Sequence, residues 1–386
     1  MTPARVPDDL EVVLLLAGGA ERRSRSSSRI RELLAEADFD RLAAELAARR
    51  LLPLIGSRAI AAGGELVPQS FRDAVALALA AERANGLAFE WATRRVDGWL
   101  AAAGIRSLPL KGPALAAEIH DDVGMRSTSD VDVLVPEGEL HRAAHVLVEH
   151  GFSPPTDLLR SDGLPDLHLV LQHPELPPVE LHWRVHWYER AFSRDLLARA
   201  EPGPDGLLRP APDDQAASLL LFYSRDGFHG VRQAADVAAW WDRRAGELSG
   251  AFLEGHTRRY PELVPALTAA ARVVEEVTGT PATEWLGSGA GSGRRVDLAT
   301  RLADWTQQGD REQLRANISL VRGLLGPPRS APALVRRELW SFGAGPFQRA
   351  AHAAKTSARY ALALWRVRGG RSWAPLPGAR RGLPSS

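Results

Sequence analysis

Apolar and polar positions follow three successive patterns along this chain. Over the first hundred residues the apolar positions recur three to four apart, which marks helices with one buried face. This spacing predicts helices over 8–16, 30–37 and 39–52, and a helical stretch over 70–103 that is either one long helix or two interrupted near Gly86. The run at 22–29 contains only arginine and serine. With no apolar stripe to bury, it is expected as a solvated loop.

From 106 to 200 the pattern changes to alternation. Leu108, Pro109 and Leu110 read as a short strand, Lys111 and Gly112 as a turn, and 113–118 as a helix with proline in its favoured first position. Next comes Ser-Asp-Val-Asp-Val-Leu-Val at 129–135. Neighbouring strand residues point to opposite faces, so Val131, Val133 and Val135 share one face and Asp130, Asp132 and Leu134 the other. Helical spacing returns at 137–150, a strand is expected to begin at Phe152, and 168–172 is a further strand. A hairpin connection at 174–178 leads into a last strand, where Val179, Leu181, Trp183 and Val185 alternate with Glu180, His182 and Arg184. The order strand, helix, strand, helix, strand, strand predicts an α+β fold, a small mixed β-sheet flanked by N-terminal and C-terminal helical segments.

Beyond 200 the chain reads as helical again. Residues 201–212, rich in proline and glycine, are expected as a linker. Asp213 or Asp214 is then expected to cap a helix carrying Ala216, Leu219, Leu220 and Phe222. Further helices are expected at 233–244, 263–278, 295–306, 311–325 and 347–368, the last packing its basic and aromatic residues on its own domain. The expected organisation is a helical N-terminal segment (1–105), an α/β core (106–200), a helical C-terminal domain (213–368) and a disordered tail (369–386).

The alternating strands carry the candidate chemistry. Carboxylates two residues apart on a strand lie roughly 7 Å apart on one face. Both stay ionised only beside a cation or strong donors, and hard oxygen ligands suit Mg²⁺ or Mn²⁺. With the Glu180 strand paired beside the aspartate strand, Glu180 completes a three-carboxylate cluster of the kind that clamps metal ions in phosphoryl transfer. Asp130, Asp132 and Glu180 are thus the expected catalytic and metal-binding residues. Nucleotide contacts are expected at Lys111, Gly112, Arg126 and Ser129, and His182 is expected to bond a phosphate or to orient Glu180. Free N–H groups at the helix start after Gly112 favour an anion. Lys111 is one of only two lysines in an arginine-rich chain, as if a compact point charge were wanted there. Asp226, His229 and Asp236 lie in helical sequence and are expected in solvated or capping roles.

The series Leu-Lys-Gly-x-Ala-Leu at 110–115, Arg-Ser-Thr-Ser-Asp-Val-Asp-Val-Leu-Val at 126–135 and Val-Glu-Leu-His-Trp at 179–183 resembles the family of uncharacterised nucleotidyltransferases within the polymerase-β-like nucleotidyltransferase superfamily. The resemblance covers 108–187 and extends more weakly to 229–241. It implies a metal-bound NTP, ATP foremost, and transfer of a nucleoside monophosphate to an acceptor with release of pyrophosphate. It makes Asp130, Asp132 and Glu180 the metal carboxylates. Lys111 and Gly112 stand where the wider superfamily usually has Gly-Ser, so the resemblance implies a different grip on the triphosphate. His120 stands where relatives often carry tyrosine.

Composition narrows the alternatives. A net charge of +1 over 386 residues gives no global pull toward nucleic acid or membrane; what the resemblance implies about relatives makes a small molecule or peptide the acceptor expected ahead of nucleic acid. Without cysteine there is no disulfide, thiolate metal site or cysteine nucleophile. Apolar runs such as 12–16 are too short to span a bilayer, and acidic Asp8, Asp9 and Glu11 do not start a signal peptide. A soluble cytoplasmic protein without membrane insertion is expected. A metal hydrolase built on His182 and His186 fails because residues four apart on a strand lie about 13 Å apart. A Mn²⁺-dependent sugar-nucleotide glycosyltransferase shares the Asp-x-Asp pattern but needs a larger α/β domain before it. A non-catalytic nucleotide- or peptide-binding module keeps the fold without turnover, and the three carboxylates speak against it.

Overall fold

The computed structural model describes residues 8–285 apart from 158, 161, 187–188, 227, 229 and 249–251. His229, the helices expected at 295–306, 311–325 and 347–368, and the 369–386 tail lie outside those residues. The N-terminal portion comprises α1 (Asp8–Ala17), α2 (Ala20–Arg25), α3 (Ser27–Ala35), α4 (Phe39–Ala48), α5 (Ser57–Gly63) and the long α6 (Gln69–Ala102). The middle runs β1 (Leu108–Pro109), α7 (Pro113–His120), β2 (Val131–Leu134), α8 (Leu140–Glu149), β3 (His168–Leu171), β4 (Val179–His182) and α9 (Ala191–Arg199). After these come β5 (Glu201–Pro202), β6 (Leu208–Arg209), α10 (Pro212–Arg225), α11 (Arg232–Arg244), α12 (Phe252–Arg259) and α13 (Val264–Thr278). The fold is α+β, and its strands and helices alternate in the middle as the hydrophobic pattern predicts.

The sheet is mixed, in the order β1-β2-β4-β3. At its centre β2 and β4 run parallel, with Asp132 beside Glu180 and Leu134 beside His182. β1 lies antiparallel to β2, and β3 antiparallel to β4. Alternation sorts the side chains between two cores. Val131, Val133, Val135, Val179 and Leu181 enter one, together with Phe89, Val96 and Leu100 of α6 and Leu140 and Leu147 of α8. On the other face Leu134 joins a second core built from the N-terminal helices and α10, α11 and α13. In that second core α10 is buried from Asp214 through Ser224, its apolar residues packed in the core and buried polar ones such as Asp214 and Gln215 held by side-chain partners. The face bearing Asp132 and Glu180 therefore looks toward the C-terminal helices.

Several elements differ from expectation, each for a tertiary reason. The 22–29 run forms parts of α2 and α3 instead of a loop. Arg22 donates to the carbonyl of Val277 at 2.9 Å, at the end of α13, and Arg29 pairs with Glu11 at 2.8 Å, so distant partners supply what the local sequence lacks. Of the two readings of 70–103 the single long helix holds: α6 continues through Gly86, where a Cβ would come within 3.1 Å of Val123, so the glycine serves close packing. Phe152 is buried but starts no strand, and one bond from the Ser153 N–H to the Gln172 carbonyl (2.8 Å) takes the place of a ladder. The 201–212 linker is a hairpin, β5 against β6, turning at Gly206 with φ 83°. Neither Asp213 nor Asp214 caps α10. Ala211 precedes it, Pro212 opens it, and Asp214 is buried between Arg199 (2.7 Å) and His256 (2.9 Å). β2 opens at Val131, leaving Asp130 just ahead of the strand. Val185 leaves the alternation because β4 ends at His182, and it packs in the second core.

Candidate active site

The site is assembled by strand register. Antiparallel pairing of β1 with β2 continues in a bond from the Leu110 N–H to the Asp132 carbonyl (3.1 Å), so the chain leaves β1 at the aspartate end of β2. There the Lys111 ammonium lies 3.1 Å from Asp132 Oδ2 and 4.7 Å above the centre of the Phe222 ring of α10. Gly112 follows at φ 89°, a conformation open to glycine, and starts α7.

Parallel pairing of β2 with β4 brings the second carboxylate alongside. His182, with no exposed surface, lies 3.0 Å from Asp132 Oδ1 and 3.3 Å from Glu180 Oε2 through the same Nε2. His168 sits opposite His182 in the β3–β4 ladder, presents its ring edge-on to the His182 ring at 4.7 Å, and places Nδ1 3.4 Å from Glu180 Oε2.

The loop before β2 is held from both sides. Ser127 bonds Glu82 of α6, and Asn85 donates to the Thr128 carbonyl at 3.0 Å. Arg126 lies 2.9 Å from Asp236 of α11, and His120 of α7 approaches the other oxygen of that carboxylate at 3.2 Å. Asp236 is thus a buried ion-pair partner instead of the solvated or capping residue expected. Asp226 does follow the last turn of α10, as its C-cap, and also faces the site.

These groups surround a cavity of about 340 Å³, within the range of small-ligand sites. Of the residues expected from the sequence, Lys111, Arg126, Ser129, Asp130, Asp132 and Glu180 line it. Gly112 and His182 do not: Gly112 sits in the turn behind Lys111, and His182 lies beneath the carboxylates. The cavity also takes in Thr128, His168, Arg225, Asp226, Arg232 and Gln233. Of these the sequence pattern singled out only Asp226, and that in a solvated or capping role. His168 could have been found as the residue that opens β3 in phase with Glu180. Arg225 and Arg232 carry no local signal, because their role depends on how α10 and α11 dock.

The electrostatics are uneven. Burial, then repulsion from Asp132 and Glu180, pushes the Asp130 carboxyl above its ordinary range. Burial opposes ionisation of Asp132 too, but Lys111 and His182 outweigh it and hold that carboxyl well below the usual range. Glu180 is likewise lowered against burial, chiefly by its bond from His182. Burial and the neighbouring His182 bring His168 down to about 4, leaving it neutral near pH 7.

Two donor sets could hold a cation. Asp130, Asp132 and Glu180 face the cavity as hard oxygens, while His168, Glu180 and His182 each place one ligand atom within 4.8 Å of the others. The second set recruits His168 where the sequence offered His186.

Carboxylates on neighbouring parallel strands of a small mixed sheet thus face a polar cavity closed by helices. A family model described as uncharacterised nucleotidyltransferase matches residues 35–278, more than half of the chain, and the chain belongs to that family. No curated protein matches it. Family membership supports nucleotidyl transfer and implies an NTP substrate. Among the described residues no helix is long and apolar enough to cross a membrane.

Proposed function

We propose that this protein transfers a nucleoside monophosphate from an NTP, ATP foremost, to a small-molecule or peptide acceptor in the cytoplasm, releasing pyrophosphate. The observation that carries this reading is Asp130: a carboxyl raised by burial and by two neighbouring carboxylates, facing the cavity, with no cation of the described residues paired to it. Such a cluster is short of positive charge, which fits a divalent ion. Asp130, Asp132 and Glu180 would hold Mg²⁺ or Mn²⁺, which when bound neutralises phosphate charge and favours deprotonation of an acceptor hydroxyl. Lys111 offsets the charge of Asp132, so that this carboxylate stays ionised although buried. His182 spans Asp132 and Glu180 from below and orients both. Arg126 and Ser129 face the phosphates from the loop before β2. In-line attack at the α-phosphorus then depends on positioning by these walls.

A second reading, a nucleotide-binding module without turnover, draws on Lys111, whose ammonium 3.1 Å from Asp132 already supplies part of the charge a metal would bring. Calorimetric titration with non-hydrolysable analogues of the four NTPs, with and without Mg²⁺, separates the two. Under the transfer reading, binding depends on Mg²⁺ and disappears in Asp130→Asn, whose melting temperature is no lower because a raised carboxyl has been removed. Binding indifferent to both Mg²⁺ and the substitution would select the module.

A further inference from the structure

Cations line this cavity on several sides, and most of their charge is already matched. Lys111 faces Asp132 at 3.1 Å, Arg126 faces Asp236 at 2.9 Å, and Arg225 faces Asp226 at 3.1 Å. Arg232 differs. Among the described residues no carboxylate pairs with it, and its guanidinium bonds the Ser127 carbonyl at 3.2 Å. Burial, and after it the nearby Arg126, pulls its pKa below the ordinary arginine value. A half-buried cation with no carboxylate paired to it among the described residues is costly, and an incoming anion lowers that cost.

The same wall holds further unused donors. Thr128 is 8% exposed, yet its Oγ1 has no hydrogen-bond partner among the described residues, and the same is true of Arg225 Nη1. Both residues line the cavity with Arg232. Arg232 is also the first residue of α11, where free N–H groups and the helix dipole favour negative charge. The opposite imbalance belongs to Asp130, with which no cation of the described residues is paired. The cavity is polarised, with surplus negative charge at the sheet and surplus positive charge at α11.

We propose that Arg232, aided by Thr128 and Arg225, seats the terminal phosphates of the NTP, an assignment that rests on the nucleotidyltransferase reading above. The reacting α-phosphorus belongs beside the carboxylates of β2 and β4. The β- and γ-phosphates, which leave as pyrophosphate, then extend toward α11. This accounts for the departure at Lys111 and Gly112: Lys111 is engaged with Asp132 and Gly112 lies off the cavity, so the triphosphate grip comes from the C-terminal helices.

The test is calorimetric titration of wild type and Arg232→Gln with NTP analogues, the matching nucleoside monophosphates and inorganic tripolyphosphate, in Mg²⁺. Charge-assisted bonds to phosphate are strong enough for the variant to lose at least about tenfold in NTP and tripolyphosphate affinity. Monophosphate affinity should stay within about twofold by the same reasoning, and Arg232→Lys should recover part of the loss. NTP affinity equal to wild type in Arg232→Gln overturns the role of Arg232 and leaves the nucleotide reading standing. Wild type that binds neither NTP nor tripolyphosphate overturns both. Arginine-specific labelling of the wild type, read by peptide mass, gives a check independent of how the variants fold. Tripolyphosphate must protect Arg232 from the reagent, and equal labelling with and without it overturns the proposal.

Discussion

At the residue scale, Lys111 and Asp132 account for one another. Both are largely buried, and their 3.1 Å contact with the His182 bond leaves each Asp132 oxygen engaged. Removing one member of a buried pair strands the other. Lys111→Met should therefore destabilise the fold by about 3 kcal/mol, and Lys111→Met/Asp132→Asn should recover much of that. Urea denaturation of the two variants checks this; a double variant no more stable than the single would remove the pair from the account. The sequence marked both residues, Asp132 by its place in an alternating strand and Lys111 by its rarity. It could not show that they face each other, because that depends on the antiparallel register of β1 on β2.

At the scale of elements, the site depends on how closely α6 approaches the turn before the cavity-lining loop that leads into β2. A Cβ on Gly124 would lie 2.6 Å from Arg83 Cγ and 2.8 Å from the Leu79 carbonyl, and Gly86 is nearly as tight against Val123. Backbone stands in the way at Gly124, so Gly124→Ala should push the turn from α6 at a cost of about 1–3 kcal/mol. Arg126 lies two residues on, so NTP affinity should fall together with the melting temperature. A variant that melts lower but binds NTP as tightly would show that the turn does not position the loop. Read locally, Gly86 left one long helix and a break equally open, since spacing along one chain cannot reveal the neighbour that needs the room. The arginine and serine run was misread for the same reason: its partners Glu11 and Val277 lie outside it.

For the whole molecule, Asp236 ties α11 to α7 and to the loop that leads into β2. Burial works against its charge, but Arg126 and His120 hold its pKa down from 3.8 to about 2. A carboxyl lowered on folding adds stability that is fully present above its unfolded pKa and is lost as pH falls through the folded one. Here the window runs from about pH 4 down to about 2, and the contribution at neutral pH is about 2 kcal/mol. Asp236→Asn should lower stability at pH 7 by at least about that much and flatten the acid limb of the stability profile. Denaturation midpoints between pH 2 and 7 give the comparison; parallel wild-type and variant curves across that window would contradict the assignment.

The chain's own pattern determined the α+β order, the division of β2 and β4 into an apolar and an acidic face, and the three carboxylates, because alternation and helical spacing are local properties. Only the tertiary structure decided that β2 and β4 lie parallel with Asp132 beside Glu180, that His168 and His182 sit against those carboxylates, and that α10 and α11 bring Arg225 and Arg232 to the cavity. Those contacts join residues tens to a hundred positions apart, and packing of the two cores selects them, with no periodicity along the chain to announce them.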